Sequence, residues 1–527
     1  VTTVRRGWWL LVAALLAALV AVPLGALLRE AVGGGAGGVA RAFGTPYVRT
    51  AVWHTVVLGV VVTAPAVAAG VALALAVERG SVRHRGRLRL LIAAPLVVPD
   101  LVLGLGWTEA YGPAGLADRL AGLALPGLYG PVGIAAVLAA HGVPLAYLAV
   151  AAGLATRAEP DLVRAARAAG ASAWVALRTV TLPLLRMSIV AAAALVFVSV
   201  VNAFAIPQLL GTPAGFGTMS TVVYSDLAFA ADPEAFRELT VVALAMVALA
   251  LLAVGPADLW AGARPAVRTG PEAAAAGRAG RATAAVVYAY ATLAVGLPLV
   301  AVALAAVTAA PGLPPVPANW TLANFDAAFA GVTGPALART LWLAAAAAVL
   351  VPLLGAAVAG LPGRATRGPL GTAVVLAFAI PGSALAVGIL IGYGRLLAGS
   401  AALILLAYLA KFWVFGHRPV QAALDRLPPD LPRAARASGA GPVTALRTVT
   451  LPPLATAAAI GGGLAFLYAS HELTMSTILY GPGSETFAVV ILNQRELGGV
   501  GTSAALALVQ TGPVALVAAG LVRWGRR

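Results

Sequence analysis

The sequence is a succession of apolar runs, each about long enough to cross a bilayer. A membrane-crossing helix needs about 20 consecutive, mostly apolar residues. Such stretches fall at approximately 8–28, 51–77, 88–111, 131–153, 187–210 and 239–259, then 284–310, 338–361, 369–394, 397–417, 455–475 and 501–522. Of the 527 residues 61% are hydrophobic and only 10% charged, whereas a soluble domain carries roughly 25% charged residues. No aqueous core could hide so much apolar surface. The expected fold is therefore an all-α membrane protein of twelve transmembrane helices, with six in residues 1–259, a polar linker at 260–283 and six in residues 284–527. The basic start "VTTVRRGWW" followed by an apolar run of about 20 residues reads as an uncleaved first span.

The arginines orient the chain. With both termini cytoplasmic, the inner segments are the N-terminus, 78–89, 154–186, 260–283, 362–368, 418–454 and the C-terminal "RWGRR". They hold 26 of the 35 Lys+Arg but only a minority of the 19 acidic residues. That asymmetry follows the positive-inside bias. It also accounts for the net charge of +16 without a nucleic-acid partner, since no basic stretch is interleaved with aromatics. Cysteine is absent, which removes disulfides and thiolate metal sites.

Two of the expected inner loops are nearly the same. "PDLVRAARAAGASAWVALRTVTLPLLR" begins at Pro160 and "PDLPRAARASGAGPVTALRTVTLPPLA" begins 269 residues later, at Pro429; they agree without a gap at 19 of 27 positions. Each follows the fourth span of its half, so the halves share one topology and form a parallel duplication of a kind common in transporters. Proline suits the first turn of a helix. Leu162, Ala165, Ala166 and Ala169 then share one face, with Arg164 and Arg167 on another. Gly170 and Gly439 suit a helix stop. A second short helix, "WVALRTVT" or "VTALRTVT", is expected to end before Pro183 or Pro452, because a residue preceding proline avoids the α region.

The spaced pattern resembles the EAA loop of binding-protein-dependent ABC importer permeases. It is carried by Arg164, Ala165, Ala166, Gly170, Val180, Leu182 and Pro183, and again by Arg433, Ala434, Ala435, Gly439, Val449, Leu451 and Pro452. Both copies place arginine where the family usually has glutamate. The segments "NAFAIPQLLGTPAGFGTMSTVVY" and "HELTMSTILYGPGSETFAVVIL" resemble those after the fifth span in fused, double-length permeases for ferric iron, thiamine or phosphonates such as 2-aminoethylphosphonate. The iron-type resemblance is the closer.

The resemblance implies a permease subunit in a bacterial plasma (inner) membrane, with its loops seated on two copies of a cytoplasmic P-loop ATPase. It also implies delivery of cargo by an extracytoplasmic solute-binding protein, and lipid as the surrounding partner. No GxxxxGK[ST] motif is present. The chain is therefore expected to be no enzyme and to hold no cofactor, with ATP and magnesium bound by the ATPase. The competing reading is a 6+6 secondary transporter of the major-facilitator type, supported by "RHRGR" after the second span. That basic loop lacks the aspartate it should carry, and two coupling loops would have no use there.

Candidate path residues are polar groups at intramembrane positions. Asn202 and His471 stand 269 apart, with Gln208 and Glu472 beside them and Asp100 in the third span. Polar side chains at such depth face a bundle interior or a water-filled path, and interhelical hydrogen bonding is the competing role. His141 and Lys411 sit near the equivalent point of the two fourth spans.

Overall fold

The computed structural model describes residues 2–157, 160–229, 233–260, 278–359, 377, 379–428 and 430–524. Most of the linker, the inner segment 362–368, the start of the ninth expected span and the last three residues lie outside the described residues. The described residues form helices and turns; their one β feature is an isolated antiparallel bridge between Thr308 and Trp320.

Among the described residues, ten helices are long and apolar enough to cross a membrane: Gly7–Gly33, Pro46–Arg79, Pro131–Ala155, Ala173–Asn202, Glu234–Gly255, Gly280–Val307, Thr333–Ala359, Ala401–Arg426, Val443–Ser470 and Val500–Leu521. They match ten of the expected spans to within several residues, except at the ends of the fifth and eleventh. The third expected span is a broken one: Arg85–Leu96 and Asp100–Ala121 meet at a 92° bend. Pro95 and Pro99 flank that bend, where missing amide donors and restricted preceding residues break a helix. The ninth is represented by the shorter helix Gly382–Leu397.

The chain folds into two compact units, and these are a different division from the two halves of the duplication. One unit comprises Phe43–Val222 and Ala245–Thr321; the other comprises Val1–Ala42, Val223–Leu244 and Leu322–Arg527. In the first unit the second, fourth and fifth spans pack on one another, while Leu297–Val307 of the seventh packs on Asp100–Tyr111. In the other unit the eighth, tenth and eleventh spans pack together, and Val22–Gly33 of the first span packs on Gly382–Leu397. Each unit has therefore taken up the opening span of the other half.

Small residues make these contacts possible. A Cβ at Gly106 would lie 2.8 Å from Cβ of Pro298, and one at Gly388 would lie 2.5 Å from the carbonyl oxygen of Pro23. In the three-helix clusters Gly70 faces Ala146 and Tyr147, and Gly355 faces Gly416 and His417. Without a hydrophobic driving force inside lipid, close backbone approach of this kind supplies the packing energy.

Candidate functional site

Each unit carries one copy of the duplicated loop, and the copies have the same local conformation. In the first, the helix Pro160–Ala168 ends at Gly170, whose φ is +90°. The Gly170 amide donates to Arg167 O at 3.1 Å and the Ala171 amide to Ala166 O at 3.0 Å. This pair of bonds is the Schellman stop, which needs a left-handed residue at the glycine. In the second copy, the helix Asp430–Ala437 ends at Gly439, with φ +88°. There the Gly439 amide donates to Arg436 O at 3.0 Å and the Ala440 amide to Ala435 O at 3.0 Å. Pro429 lies outside the described residues.

The arginines at the family's glutamate position are tethered within their own helices. Arg164 pairs with Asp161, and Arg433 Nη1 lies 3.3 Å from Asp430 Oδ1. Both pairs are exposed and contribute little to stability. Leu162, Trp174 and Val175 in the first loop, and Leu431, Val443 and Leu446 in the second, leave large apolar side chains exposed. This is the composition of a surface that awaits a partner.

The expected stop before each proline does not occur. Leu182 stays helical at φ −65°, ψ −41°, and Leu451 at φ −66°, ψ −39°. A π-helical turn, Leu177–Thr181 or Leu446–Thr450, runs directly into the next α-helix. The wider turn accommodates proline by relieving the clash with the preceding carbonyls and by leaving a position whose missing amide is not needed. Val180 and Val449 lie in these turns, and Leu182, Pro183, Leu451 and Pro452 open the helices that follow. The second piece of each loop is thus continuous with its span: Ala173–Asn202 runs for 30 residues and Val443–Ser470 for 28.

Those long helices end sooner than the sequence suggests, at the two candidate path residues. Asn202 is the last residue of its helix, and His471 directly follows Ser470. Beyond them come short helices, Ala205–Leu210 and Ser476–Leu479, and then Met219–Phe229 and Phe487–Glu496. Asn202 Oδ1 is buried with no hydrogen-bond partner among the described residues. His471 packs its ring against Tyr468, centroids 5.7 Å apart. Glu472 is a cap: its carboxylate accepts from the Met475 amide at 2.7 Å, the Ser476 amide at 2.9 Å and Ser476 Oγ at 2.9 Å. Gln208 accepts from Thr212 Oγ1 at 3.3 Å.

Asp100 opens the helix after the 92° bend, where a carboxylate favours the positive helix end. Its Oδ1 lies 3.5 Å from His141 Nδ1. At the equivalent point of the other unit, the Lys411 ammonium donates to the carbonyl of Ile380, just before Pro381. A basic side chain from each fourth span thus meets the start of a helix that follows a proline, Asp100–Tyr111 or Gly382–Leu397, with a different chemistry in each unit.

The sequence reading missed a clasp that also occurs twice. Thr55 Oγ1 of the second span accepts from the Met219 amide at 2.9 Å, and Thr340 Oγ1 of the eighth accepts from the Phe487 amide at 2.8 Å. The residue before each threonine binds the neighbouring strand of chain: His54 Nδ1 lies 2.9 Å from Gly217 O, and Arg339 Nη1 donates to Glu485 O at 2.5 Å. The pairs "HT" and "RT" are the sequence trace of it, and one shared letter is too little to stand out. Also missed was Glu78, which accepts from Arg89 Nε at 2.9 Å and from the Tyr147 hydroxyl at 2.5 Å. It ties together the second, third and fourth spans near the first loop.

Known proteins resemble this chain along most of its length. Residues 66–260 match the family "Binding-protein-dependent transport system inner membrane component". A protein of Sinorhizobium fredii (strain NBRC 101917 / NGR234), y4fN, named as a probable ABC transporter permease protein, is 27% identical over 473 residues, covering 85% of this chain and 82% of its own length. PhnV of Salmonella typhimurium (strain LT2), named for a 2-aminoethylphosphonate transport system permease, is 28% identical over 218 residues, 40% of this chain and 82% of its own. The family match selects the importer reading over the secondary-transporter one. Along 85% of its length the chain is thus similar to a probable ABC transporter permease protein, and a stretch of it matches the binding-protein-dependent inner-membrane component family, which supports a permease of the fused, double-length type.

Proposed function

We propose that this chain supplies both halves of the translocation path of an ATP-driven importer, as twelve spans in two parallel sets of six with a coupling loop in each. The observation that carries the reading is the doubled loop, identical in its glycine stop and continuous with the following span in both copies. A rigid lever that starts at an exposed apolar surface and ends at a polar residue deep in the chain can convert a push at one end into movement at the other. Two copies of a cytoplasmic P-loop ATPase would close on ATP and magnesium, press on the loops and drive alternating access. A solute-binding protein would present cargo on the opposite side of a bacterial inner membrane, and both termini would be cytoplasmic.

The cargo we propose is a small phosphonate. PhnV, named for 2-aminoethylphosphonate, supports that class, while neither relative described above is named for iron, which the sequence resemblance had favoured. Co-purification of a P-loop ATPase with the full chain tests the class, and its consistent absence from pull-downs would overturn it. Competition of 2-aminoethylphosphonate, ferric citrate and thiamine for uptake tests the cargo. Since the chain has no cysteine, His84→Cys should label only from the cytoplasmic side and Leu497→Cys only from outside.

A further inference from the structure

Three helices of one unit end around a recess that the transport reading leaves unused. It encloses about 600 Å³ and is lined by Arg29, Glu30, Phe236, Leu390, Ile391 and Arg395. Its walls are fixed by close packing. Gly388 abuts the Pro23 backbone, and the Tyr393 hydroxyl donates to Ala18 O at 2.6 Å, which holds the first span against Gly382–Leu397. Arg29 and Arg395 emerge at the same end of that packed pair.

The charges around the recess do not cancel. Glu30 is already paired, its Oε1 3.4 Å from Arg237 Nε. Among the described residues Arg29 and Arg395 have no ion-pair or hydrogen-bond partner. With the one carboxylate of the recess already engaged by Arg237, the two guanidinium groups repel each other, and a phosphate would relieve that repulsion because its oxygens match the guanidinium fork. The neighbours of both arginines point to the source. Leu28 is 50% exposed and Leu396 84% exposed, so the recess opens beside apolar surface of the kind that faces acyl chains. In the proposed topology these span ends are on the outer side, where arginine runs against the positive-inside bias and needs another use.

We propose that this recess binds the phosphate of an anionic phospholipid headgroup, with Arg29 and Arg395 holding its oxygens and Phe236, Leu390 and Ile391 receiving the glycerol and upper acyl carbons. Basic pockets between transmembrane helices take lipid headgroups in this manner. The choice of leaflet and the argument from charge bias rest on the proposed topology, which the cysteine labelling described above checks separately.

The test is native mass spectrometry of the full chain released from nanodiscs containing phosphatidylglycerol, with inorganic phosphate as a second probe. The wild type should retain a phosphatidylglycerol that Arg29→Gln and Arg395→Gln each weaken about fivefold, the effect of one cation at a membrane surface. The double variant should lose it, while Arg29→Lys with Arg395→Lys restores part of the binding. Unchanged thermal unfolding shows that these variants fold. Displacement of the lipid by inorganic phosphate supports the phosphate site but makes a free anion its ligand. Equal lipid retention by the wild type and the double glutamine variant overturns the proposal, as does retention governed by the acyl chains alone.

Discussion

The Tyr393 hydroxyl donates a 2.6 Å hydrogen bond to the carbonyl of Ala18, 375 positions earlier in the chain. In the other unit Tyr111 makes the same bond to Leu293, also at 2.6 Å. Both acceptors lie in π-helical turns, Ala17–Ala21 and Thr292–Gly296. A π turn shifts the bonding pattern by one residue and leaves a carbonyl poorly served by its own helix. Lipid offers no replacement donor, so the partner must come from a neighbouring helix. The tyrosines thus mark where each opening span docks onto the third-span helix of the other half.

Tyr393→Phe and Tyr111→Phe should therefore each lower stability by about 0.6–2 kcal/mol, the range for hydrogen bonds between membrane helices. Thermal unfolding of the purified chain in detergent measures this. If neither midpoint moves, the hydroxyls contribute nothing to docking.

At the loops, backbone conformation is separable from packing. Gly170 and Gly439 have φ of +90° and +88°, and a Cβ at either would meet nothing within 4 Å. Gly439→Val should then insert and fold while straining only the corner, at a cost of roughly 1–2 kcal/mol for a left-handed residue. The expected result is lost coupling between ATP hydrolysis and uptake in a reconstituted complex. Gly439→Asn, which tolerates that region better, should be milder. Full cargo-stimulated hydrolysis and uptake in the valine variant would show that the corner is not needed.

Features set by local chemistry were legible in the sequence. The apolar runs predicted most spans, and the glycine stops follow from what a helix end requires. The stop expected before Pro183 and Pro452 failed because the chain takes up a π turn, for which composition has no signature. The docking of each opening span depends on single contacts such as Gly106 with Pro298, far apart in sequence and invisible to periodicity. Asp100 was legible as a path candidate, whereas its place at the head of the helix after the bend and its 3.5 Å approach to His141 required the folded chain to be seen.

Thr55 and Thr340 offer a further test, because one atom in each closes the clasp. Replacement by valine keeps the shape but leaves a buried amide without its acceptor, which costs about 1–3 kcal/mol. Thr340→Val and Thr55→Val should lower the unfolding midpoint, whereas serine at either position should restore it. Valine and serine variants of equal stability would mean that shape, rather than the hydroxyl, holds the segment.

The two candidate path positions differ in a way that a paired experiment can read. Glu472 is saturated by three donors from Met475 and Ser476. Asn202 Oδ1, by contrast, is buried without a partner among the described residues. Removing a carboxylate that caps buried amides strands those donors, so Glu472→Leu should destabilise the chain by several kcal/mol, since hydrogen bonds to charged groups contribute about 1.5–3 kcal/mol each. Removing an oxygen that accepts from no described residue strands no donor, and an apolar group of similar size there is neutral or stabilising. Asn202→Leu should therefore keep or raise the unfolding midpoint. If Asn202 is held in that costly state to meet cargo, the same variant should lose uptake per molecule of assembled complex. Undiminished uptake at unchanged stability would take Asn202 off the path, and a large loss of stability would show that it packs against a partner instead.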